Sequence, residues 1–411
     1  MKVVIIGSGA QGTGLAGLLV MEKDVEQLIL ADYSQASLDK AKQLIDSLGE
    51  KIQTKQILYR TVNAGSVEEV ATLLEGSDIC FHAIVPKFNL PIMKACLKAH
   101  THYMDLIGLP GSADDGDETI GAQIALFDDF AKAGLIAIPS IGISPGWTLL
   151  AAADMIEDFD TVDEVKIRWA DYLDTDEFTS SINPTFMLSE WLGAPHPCAY
   201  KDGDLICESL LESEEEFEFP DPIGVRKIYT CTSQPDIVMI PEFSPIPILY
   251  CVEKGSANTS ALSMKEIWLH ALQQAASADT VLDNGTTILD EMGKTLIPPN
   301  KHDELYAEGK IKDHATCFSV EVNGKKEDKH VRHIQYNNCT KATAIRHLPW
   351  STPAVYDTAG GLPVILTLMI GRGEIQKHGV FSAGQLGISK QLKEELKKRD
   401  HDITEKIIID C

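Results

Sequence analysis

The sequence predicts an α/β protein whose first domain has a doubly wound parallel sheet and whose second domain is α+β. Three observations lead to this prediction. Short apolar segments alternate with helical patterns through residues 1–150, a rhythm typical of a parallel sheet covered by helices on both faces. A glycine-rich segment follows the first apolar segment directly. Near residue 151 the rhythm stops, and longer segments of alternating polar and apolar residues begin.

The first domain is predicted to contain six strands and five helices. Short runs of apolar, mostly β-branched or aromatic residues indicate strands, and apolar residues at helical spacing indicate helices. Asn89 is expected to cap its helix, with Pro91 in the first turn. The predicted strands are Val3–Ile6, Gln27–Ala31, Ile57–Thr61, Asp78–Ala83, His102–Leu106 and Ile136–Pro139, and the predicted helices are Gln11–Met21, Ser34–Leu48, Val67–Leu74, Asn89–Ala99 and Gln123–Ala133.

Residues 151–350 are predicted to form an α+β domain with a mainly antiparallel sheet. Val162–Ala170 alternates as a strand with one covered face does. Two strands, Ala315–Val322 and Lys329–Tyr336, are expected to form a hairpin whose turn contains Asn323-Gly324. Other predicted features are an amphipathic helix at Lys265–Ala276, an exposed acidic loop at Glu208–Glu218 that leads to a strand edge, C-terminal helices at Asp357–Arg372 and Ser389–Arg399, and a possible last strand in ITEKIIID.

Composition excludes several classes of partner. The net charge is −25, from 61 acidic and 36 basic residues, and this field repels nucleic acid and anionic membranes. The nine cysteines include no C-x-x-C pair, a pattern that indicates free thiols in a reducing compartment. His100 and His102 have no third ligand nearby, so no metal is expected. The chain shows no signal peptide and no apolar run of about 18 residues, and we expect a cytoplasmic protein.

The segment Gly7-Ser8-Gly9-Ala10-Gln11-Gly12 matches the dinucleotide-binding fingerprint G-x-G-x-x-G. A strand precedes it and a helix follows it, so this is the context of a Rossmann fold. Gly7 suits a tight turn, Gly9 a close approach of the pyrophosphate, and Gly12 close packing of helix on strand. The helix N-terminus offers N–H groups to the phosphates. Asp32, 20 residues after Gly12, is suited to bind ribose hydroxyls and to repel a 2′-phosphate, which favours NAD over NADP.

Three polar side chains follow the ends of predicted strands, where a doubly wound sheet places its active crevice. Lys87 follows the fourth strand, Asp105 ends the fifth, and Ser144 follows the sixth. Each has an alternative structural interpretation: a solvated loop lysine, a carboxylate that caps a loop, and a helix N-cap.

Three segments carry a resemblance to a known family: AIVPKFNLPIMKACLKAHTHYMDLIG, IGISPGWTLLAA and TAGGLPVILTLMIGRGEIQKHGVF. They resemble the saccharopine dehydrogenase-like oxidoreductases, and within that family they are more similar to the lysine 6-dehydrogenase branch than to the saccharopine reductases. The likeness is looser in the middle of the chain, where FPDPIGVRKIYT matches best. Ser144 stands where saccharopine-type members usually have aspartate, and Lys87 where an aromatic residue is common. Both positions are at the expected substrate mouth.

The resemblance implies an N-terminal NAD(P)-binding Rossmann domain (residues 1–150), an inserted α+β domain for substrate binding and dimer contact (151–350), and C-terminal helices that return to the first domain (351–411). It implies oxidation or reduction of a C–N bond in an amino acid or amino-acid conjugate, by a homodimer. The residues expected to bind the cofactor are Gly7, Gly9, Ala10, Gln11, Gly12, Asp32, Tyr33, Asn63, Ala83, Val85 and Pro86, and those expected to bind substrate are Ser144, Glu190, Arg226 and Thr358.

The expected reaction is oxidation of a primary or secondary amine, with Lys87 and Asp105 as the catalytic candidates. Lys87 could act as the base if burial lowered its pKa. Asp105 or Glu190 could hold the substrate ammonium, and Arg226 could bind a carboxylate through its fork. Two alternatives remain open: an aminoalkyl transferase similar to homospermidine synthase that uses bound NAD, and a non-enzymatic NAD-binding sensor.

Overall fold

The computed structural model describes residues 1–185, 198–208, 213–230, 234–257, 281–282 and 285–409. The chain divides into two compact units. The first comprises Met1–Asp154 and Tyr356–Asp400, and the second comprises Met155–Val355 and His401–Cys411.

The first unit is built on a seven-stranded parallel sheet, which confirms the predicted fold class. The strand order is β15-β6-β5-β4-β1-β2-β3. Successive strands are added on one side of β1 up to β3 and on its other side from β4, so β1 and β4 flank the switch point at which doubly wound sheets bind ligands. The strands are β1 (Lys2–Ile6), β2 (Gln27–Asp32), β3 (Gln56–Thr61), β4 (Ile79–His82), β5 (His102–Asp105), β6 (Ile136–Ile138) and, from the C-terminal part of the chain, β15 (Gly379–Val380).

Helices connect these strands, and α1 is buried on all sides from Gly12 to Leu19. Ser34 and Ser66 cap their helices, since their hydroxyls accept hydrogen bonds from Ser37 and Glu69 N–H groups. The central strands are apolar on both faces, as a sheet covered on both sides requires. The helices are α1 (Ala10–Leu19), α2 (Gln35–Asp46), α3 (Val67–Leu74), α4 (Asn89–Ala99), α5 (Ile120–Ile124), α6 (Phe127–Ala133) and α7 (Trp147–Ile156).

Two predictions about these helices were wrong. The helix predicted at Gln123–Ala133 is two helices, α5 and α6, because α5 ends at Ala125 and α6 begins after Leu126. Asn89 does not cap α4: it is the first residue of the helix, and its side chain is fully buried and bonds elsewhere. A polar residue does stand at the start of this helix, as the pattern predicted. Its side chain is hydrogen-bonded to His82 and to the Ile107 carbonyl oxygen, so it does not cap the helix.

The C-terminal part of the first unit adds helices and β15. The single helix predicted at 357–372 is in fact two helices, α12 (Pro353–Gly360) and α13 (Leu362–Gly371). A further helix, α14 (Ser389–Lys398), follows them. Together, Pro353–Gly371 is the one stretch of the described chain that is long and apolar enough to cross a membrane by length and composition. An apolar stretch of this length was not expected from the sequence. The stretch is 89% buried, as the core helix of a globular protein would be.

The second unit contains a mixed sheet that is mainly antiparallel, as predicted. Among the described residues the order is β10-β11-β12-β7-β13-β14-β16, and only β7 and β12 pair in parallel. The strands are β7 (Thr161–Thr175), β8 (Cys198–Lys201), β9 (Asp204–Cys207), β10 (Glu215–Phe219), β11 (Gly224–Thr230), β12 (Ile248–Ala257), β13 (Ile311–Lys326), β14 (Lys329–Thr340) and β16 (Asp402–Ile409), and the helices are α8 (Asp236–Phe243), α9 (Ile288–Gly293), α10 (His302–Ala307) and α11 (Lys341–His347).

The hairpin of β13 and β14 forms, but its turn is not at Asn323-Gly324. The turn is Glu327-Asp328, both with positive φ, as a two-residue hairpin turn requires. Gly324 lies inside β13, where a Cβ atom would come within 2.0 Å of the Thr161 carbonyl oxygen. Gly324 therefore allows β7 to approach β13 closely, at a point where the pairing register of the two strands shifts.

One part of the predicted C-terminal segment also needs correction. Residues 351–411 were expected to return to the first unit. The last strand expected in ITEKIIID does form, as β16 (Asp402–Ile409), but it pairs antiparallel with β14 and so extends the second sheet. The predicted helix at Lys265–Ala276 lies outside the described residues, as does residue range 209–212 of the acidic segment.

Candidate active site

The glycine-rich loop after β1 is shaped by two backbone contacts. Gly7 has φ +107°, and a Cβ there would lie 2.8 Å from the Ala83 carbonyl oxygen. A Cβ on Gly12 would lie 1.9 Å from the Gly7 carbonyl oxygen. No other residue type can occupy either position without moving the backbone. These contacts bring α1 directly against the end of β1.

Gly9 is different, because a Cβ there would meet no protein atom within 4 Å. Gly9 is the N-cap of α1 and has no side chain to cap the first turn of the helix. Such a helix start binds anions through its N–H groups and its dipole. The loop therefore fits a dinucleotide pyrophosphate, with Gly9 leaving room for the phosphates.

Asp32, at the end of β2, is tied to this loop. Its Oδ2 accepts hydrogen bonds from the Ser8 N–H at 2.7 Å and the Ser8 hydroxyl at 2.9 Å, and Oδ1 accepts from the Ser34 N–H at 2.9 Å. Asp32 is 8% exposed. The carboxylate thus holds the loop in place. Because Oδ1 accepts only one of these hydrogen bonds, it can accept another from a ribose hydroxyl.

The other predicted cofactor residues lie around the carboxyl ends of β1 to β4. Ala10 and Gln11 begin α1, while Tyr33 is 88% exposed beside Asp32. Asn63 follows β3, where its Oδ1 accepts a hydrogen bond from the Gly65 N–H at 3.1 Å. After β4 come Ala83, the exposed Val85 and the buried Pro86.

A buried polar network occupies the carboxyl ends of β4, β5 and β6. We call it the strand-end network, and each of its side chains is 0–1% exposed. Asp105 is at its centre: Oδ2 accepts hydrogen bonds from the Tyr103 hydroxyl and from Gln123 Nε2, both at 2.6 Å, and Oδ1 accepts from the Ser140 N–H at 2.8 Å. The network comprises His82, Asn89, Tyr103, Asp105, Gln123 and Ser140.

His82 and Asn89 extend the network to the loop after β4. The Ile84 N–H donates to His82 Nδ1 at 3.2 Å, so Nε2 carries the proton and donates to Asn89 Oδ1 at 2.5 Å. Asn89 Nδ2 donates in turn to the Ile107 carbonyl oxygen at 2.9 Å. These bonds hold together the loops that follow β4 and β5.

Burial dominates the titration of this network. It raises the pKa of Asp105, although His82, Tyr103, Ser140 and Gln123 oppose the shift. Burial also lowers the pKa of His82, so its imidazole is held neutral. Burial and the neighbouring Asp105 raise the pKa of Tyr103 well above its usual range. The network is therefore a fixed set of donors and acceptors around one carboxyl group.

The loop after β6 is constrained by the same network. Ser140 has φ +58°, an uncommon conformation for a residue with a Cβ, and it is held there by its bond to Asp105. Its hydroxyl accepts a hydrogen bond from the Gly108 N–H at 3.0 Å. Further along, the Ser144-Pro145 peptide is cis, and Thr358 of α12 lies against Gly142, with Cγ2 3.1 Å from the site of a Cβ there. Thr358 thus packs against the loop that contains Ser144.

The structure separates the remaining candidates. Lys87 is exposed, with Nζ 5.0 Å from the centre of the Phe88 ring, so the burial that the sequence analysis required for its role as a base is absent. Arg226 is in the second unit, on β11, where its guanidinium lies 5.3 Å from the centre of the Tyr172 ring. Glu190 lies outside the described residues. Among the described residues, no three His, Cys, Asp or Glu side chains cluster as a metal site would require.

Sequence reasoning missed five of the six members of the strand-end network: His82, Tyr103, Gln123 and Ser140 were not predicted as site residues, and Asn89 was predicted only as a helix cap. Only their position in the sequence could have pointed to His82 and Tyr103 as site residues, since His82 ends β4 and Tyr103 lies in the neighbouring β5. Gln123 and Ser140 carried none, because their role depends on packing around Asp105.

The comparisons with known proteins agree with this geometry. Residues 3–138 match the family described as Saccharopine dehydrogenase NADP binding domain. Carboxynorspermidine synthase of Vibrio cholerae is 26% identical over 407 residues, covering 94% of this chain and 92% of the relative. Carboxyaminopropylagmatine dehydrogenase of Synechocystis is 23% identical over 410 residues, covering 94% and 92%.

The family match covers about a third of the chain, the part that contains the Gly7–Gly12 loop. Solved structures show the same fold: saccharopine dehydrogenase (L-Glu forming) of Saccharomyces cerevisiae has a TM-score of 0.66 at 13% identity, covering 99% of both chains. Homospermidine synthase of Legionella pneumophila, in complex with NAD, has a TM-score of 0.70 at 11% identity, covering 99% of this chain and 91% of that one.

Gly9→Ala and Gly12→Ala are expected to impair nucleotide binding in different ways. Gly9 has ordinary backbone angles and open space, so Gly9→Ala should keep the wild-type thermal midpoint while weakening NADH binding about tenfold or more, because the methyl group occupies the phosphate approach. Gly12→Ala should lower the midpoint as well, because its methyl group collides with the Gly7 carbonyl. Thermal unfolding and NADH fluorescence titration measure both. Equal midpoints for the two variants would contradict this assignment.

Asp105→Asn is expected to lower the free energy of unfolding by about 1–3 kcal/mol, because the amide NH₂ must face a donor. The deficit should depend on pH. The folded-state pKa of Asp105 is raised, so the wild type loses stability as pH rises from the ordinary aspartate pKa through the raised one. The variant lacks this titration, and the deficit should shrink across that window. Urea unfolding at several pH values measures it, with the exposed Asp39→Asn as control. A deficit that grows with pH would refute the assignment.

Proposed function

We propose that this protein is an NAD-dependent oxidoreductase that makes or breaks a C–N bond of an amino-acid–amine conjugate. The observation that carries the proposal is the combination, in one unit, of the Gly7–Gly12 cradle with the Asp105 network at the ends of neighbouring strands. The first feature fits a dinucleotide. The second fixes the loops at the switch point, where the substrate of such a sheet binds.

The substrate class is inferred from the relatives. Carboxynorspermidine and carboxyaminopropylagmatine, the compounds in their names, each combine a carboxyl group with an amine chain. The lysine 6-dehydrogenase resemblance also points to an amino acid with a reacting side-chain nitrogen. We therefore propose a substrate in which a carboxylate-bearing portion is joined through nitrogen to a second amine chain.

Several side chains have proposed roles in this reaction. When bound, the nicotinamide supplies hydride exchange with the carbon of the C–N bond. Arg226 is suited to bind the carboxylate: its Nη1 donates to the Val225 carbonyl oxygen at 2.8 Å, and its Nε has no hydrogen-bond partner in the described part of the chain. Lys87 is exposed in the structure, and we propose that it exchanges the proton of the substrate nitrogen only when bound substrate removes it from water. Asp105 is a positioning residue, because its oxygens already accept from three groups.

The proposal of NAD over NADP rests on Asp32. Its carboxylate is held by Ser8 and Ser34 at the end of β2, where it would repel a 2′-phosphate on the adenosine ribose.

A screen of amine substrates tests the proposed function. Purified protein with NAD or NADP is offered lysine, ornithine, diaminopimelate, saccharopine, carboxynorspermidine and simple polyamines, and the absorbance of reduced nicotinamide is followed. Stoichiometric NADH with a conjugate supports the proposal. Amine transfer without net NADH would instead support the homospermidine synthase-like alternative, and NAD binding without any turnover would support the sensor.

Asp32→Asn is expected to reduce the preference for NAD over NADP about tenfold or more, because like-charge contacts cost several kcal/mol. Affinities for NADH and NADPH measure it. Ser8→Ala is the matched control: it removes one hydrogen bond to Asp32 but keeps the charge, so the preference should remain. A wild-type preference for NADP would contradict the proposal.

Lys87→Ala is expected to lower kcat/KM about 100-fold to 10,000-fold, the usual contribution of a general base, with NADH binding unchanged. Lys94→Ala, on the exposed face of α4, is the control and should retain wild-type kinetics. If Lys87→Ala and Lys94→Ala behave alike, Lys87 is not the base.

A further inference from the structure

Three consecutive residues of the second unit are buried although they lie in a loop. Thr179, Ser180 and Ser181 follow β7 and are 0–5% exposed; we call them the anchored segment. The Ser180 N–H and the Thr179 hydroxyl both donate to the Ile297 carbonyl oxygen, at 3.0 and 2.7 Å. Loops are rarely buried, because their polar groups then need partners inside the protein. The anchored segment therefore depends on the side chains packed around it.

His302 of α10 holds the first residue of the anchored segment. It is fully buried, and its Nε2 lies 2.6 Å from the Thr179 hydroxyl oxygen. That hydroxyl has one proton and donates it to the Ile297 carbonyl oxygen, so His302 Nε2 is the donor in this contact. The tautomer is thereby fixed. Nε2 carries the proton, and Nδ1 is a bare nitrogen without a hydrogen-bond partner in the described part of the chain.

Asp171 of β7 holds the last residue of the anchored segment. Its Oδ2 accepts a hydrogen bond from the Ser181 hydroxyl, and its Oδ1 lies 3.1 Å from His314 Nε2. Because a carboxylate only accepts, His314 Nε2 donates to it, and His314 Nδ1 accepts from the Tyr306 hydroxyl at 2.8 Å. Two buried histidines thus serve the same segment, and His314 has a carboxylate partner.

His302 has no such partner. No ion pair joins it to a carboxylate within the residues that the structure describes, since Asp171 is bonded to His314. The centre of the His302 ring is 5.8 Å from that of His314 and 6.1 Å from that of Tyr306. Two further charged groups lie near Tyr306: Lys341 of α11, whose Nζ is 4.4 Å from the centre of the Tyr306 ring, and Asp313 of β13. A second proton on His302 would therefore create a buried cation without a counter-ion.

Protonation of His302 consequently favours release of the anchored segment. In the folded protein, burial and the neighbouring His314 lower the pKa of His302 from 6.5 to about 3, and the Ser180 backbone opposes this shift only in part. Release of the segment admits water to His302 and restores its ordinary pKa. Since the lowered pKa belongs to the anchored state, that state loses stability as pH falls below 6.5. Each further pH unit raises the equilibrium constant of release about tenfold, until the lowered pKa is reached.

We propose that the contact between His302 and Thr179 is an acid-sensitive lock, which holds the anchored segment in place at neutral pH and releases it as the solution becomes acidic. The proposal concerns a conformational change within the second unit and goes beyond the proposed reaction. In the sequence, Ser181 precedes the predicted substrate residue Glu190 by nine residues. A link between this release and substrate binding would rest on the proposed function, whereas the release itself does not.

Hydrogen exchange of the full chain, followed by mass spectrometry from neutral pH to about pH 5, tests the proposed release. Protection factors are compared, because they remove the intrinsic pH dependence of amide exchange. In the wild type, protection of the peptide that contains Ser180 should fall about tenfold for each pH unit below 6.5. That peptide should also be less protected than the central strand β13 at every pH, because release of the segment leaves the sheet folded.

His302→Gln is the matched variant, because a glutamine amide can donate to Thr179 as Nε2 does but does not titrate. Its protection at Ser180 should not show the acid-dependent fall. His330→Gln, which removes an exposed histidine of β14, is the control and should keep the wild-type pH dependence. Thr179→Val removes the hydroxyl and should lower protection at Ser180 even at neutral pH.

Several results would overturn the proposal. They are wild-type protection at Ser180 that does not change with pH, equal protection at Ser180 and in β13, and a His302→Gln variant with the wild-type pH dependence. If His302→Gln does not fold, the wild-type protection factors and those of Thr179→Val decide the question. Hydrogen exchange requires no turnover, so failure of this proposal is distinguishable from failure of the proposed function.

Discussion

The contact between Gly12 and the carbonyl oxygen of Gly7 decides how closely α1 lies against β1. A single methyl group at Gly12 would come within 1.9 Å of that oxygen. Because the helix lies this close, its first N–H groups point to the carboxyl end of the sheet, and Ser8 comes within hydrogen-bond distance of Asp32. The nucleotide cradle is therefore a consequence of backbone packing, and its side chains refine a geometry already set by the glycines.

A second constraint acts through Asp105. Charged groups are rarely buried without partners, since desolvation disfavours them. Asp105 is fully buried, and three donors from β5, α5 and the loop after β6 surround it. One carboxyl group thereby connects loops that come from three separate parts of the chain. Its place at the strand end suggested contact with substrate, whereas its hydrogen bonds connect the loops after β5 and β6.

Local patterns were sufficient to predict six of the seven strands of the first sheet, whereas β15 was not predicted. All six of its predicted strands form, because an apolar run in a βα rhythm has few other ways to bury both faces. Errors occurred where two local explanations competed. Asn89 looked like a cap but bonds to His82, and Asn323-Gly324 looked like a turn but serves the approach of β7. The strand-end network could not be predicted, because Gln123 and Ser140 meet Asp105 only once the strands are in order.

The strand β15 has a consequence for the order in which the protein can fold. Six strands of the first sheet are encoded by residues 2–138, whereas the seventh is encoded by Gly379–Val380, after almost the whole second unit. During synthesis β6 therefore has no β15 to pair with until more than two hundred further residues have been made. The second sheet is likewise incomplete until β16 has been made. The first unit cannot be completed before Gly379–Val380 is made, and the second cannot be completed before Asp402–Ile409 is made, so both depend on contacts between distant parts of the sequence.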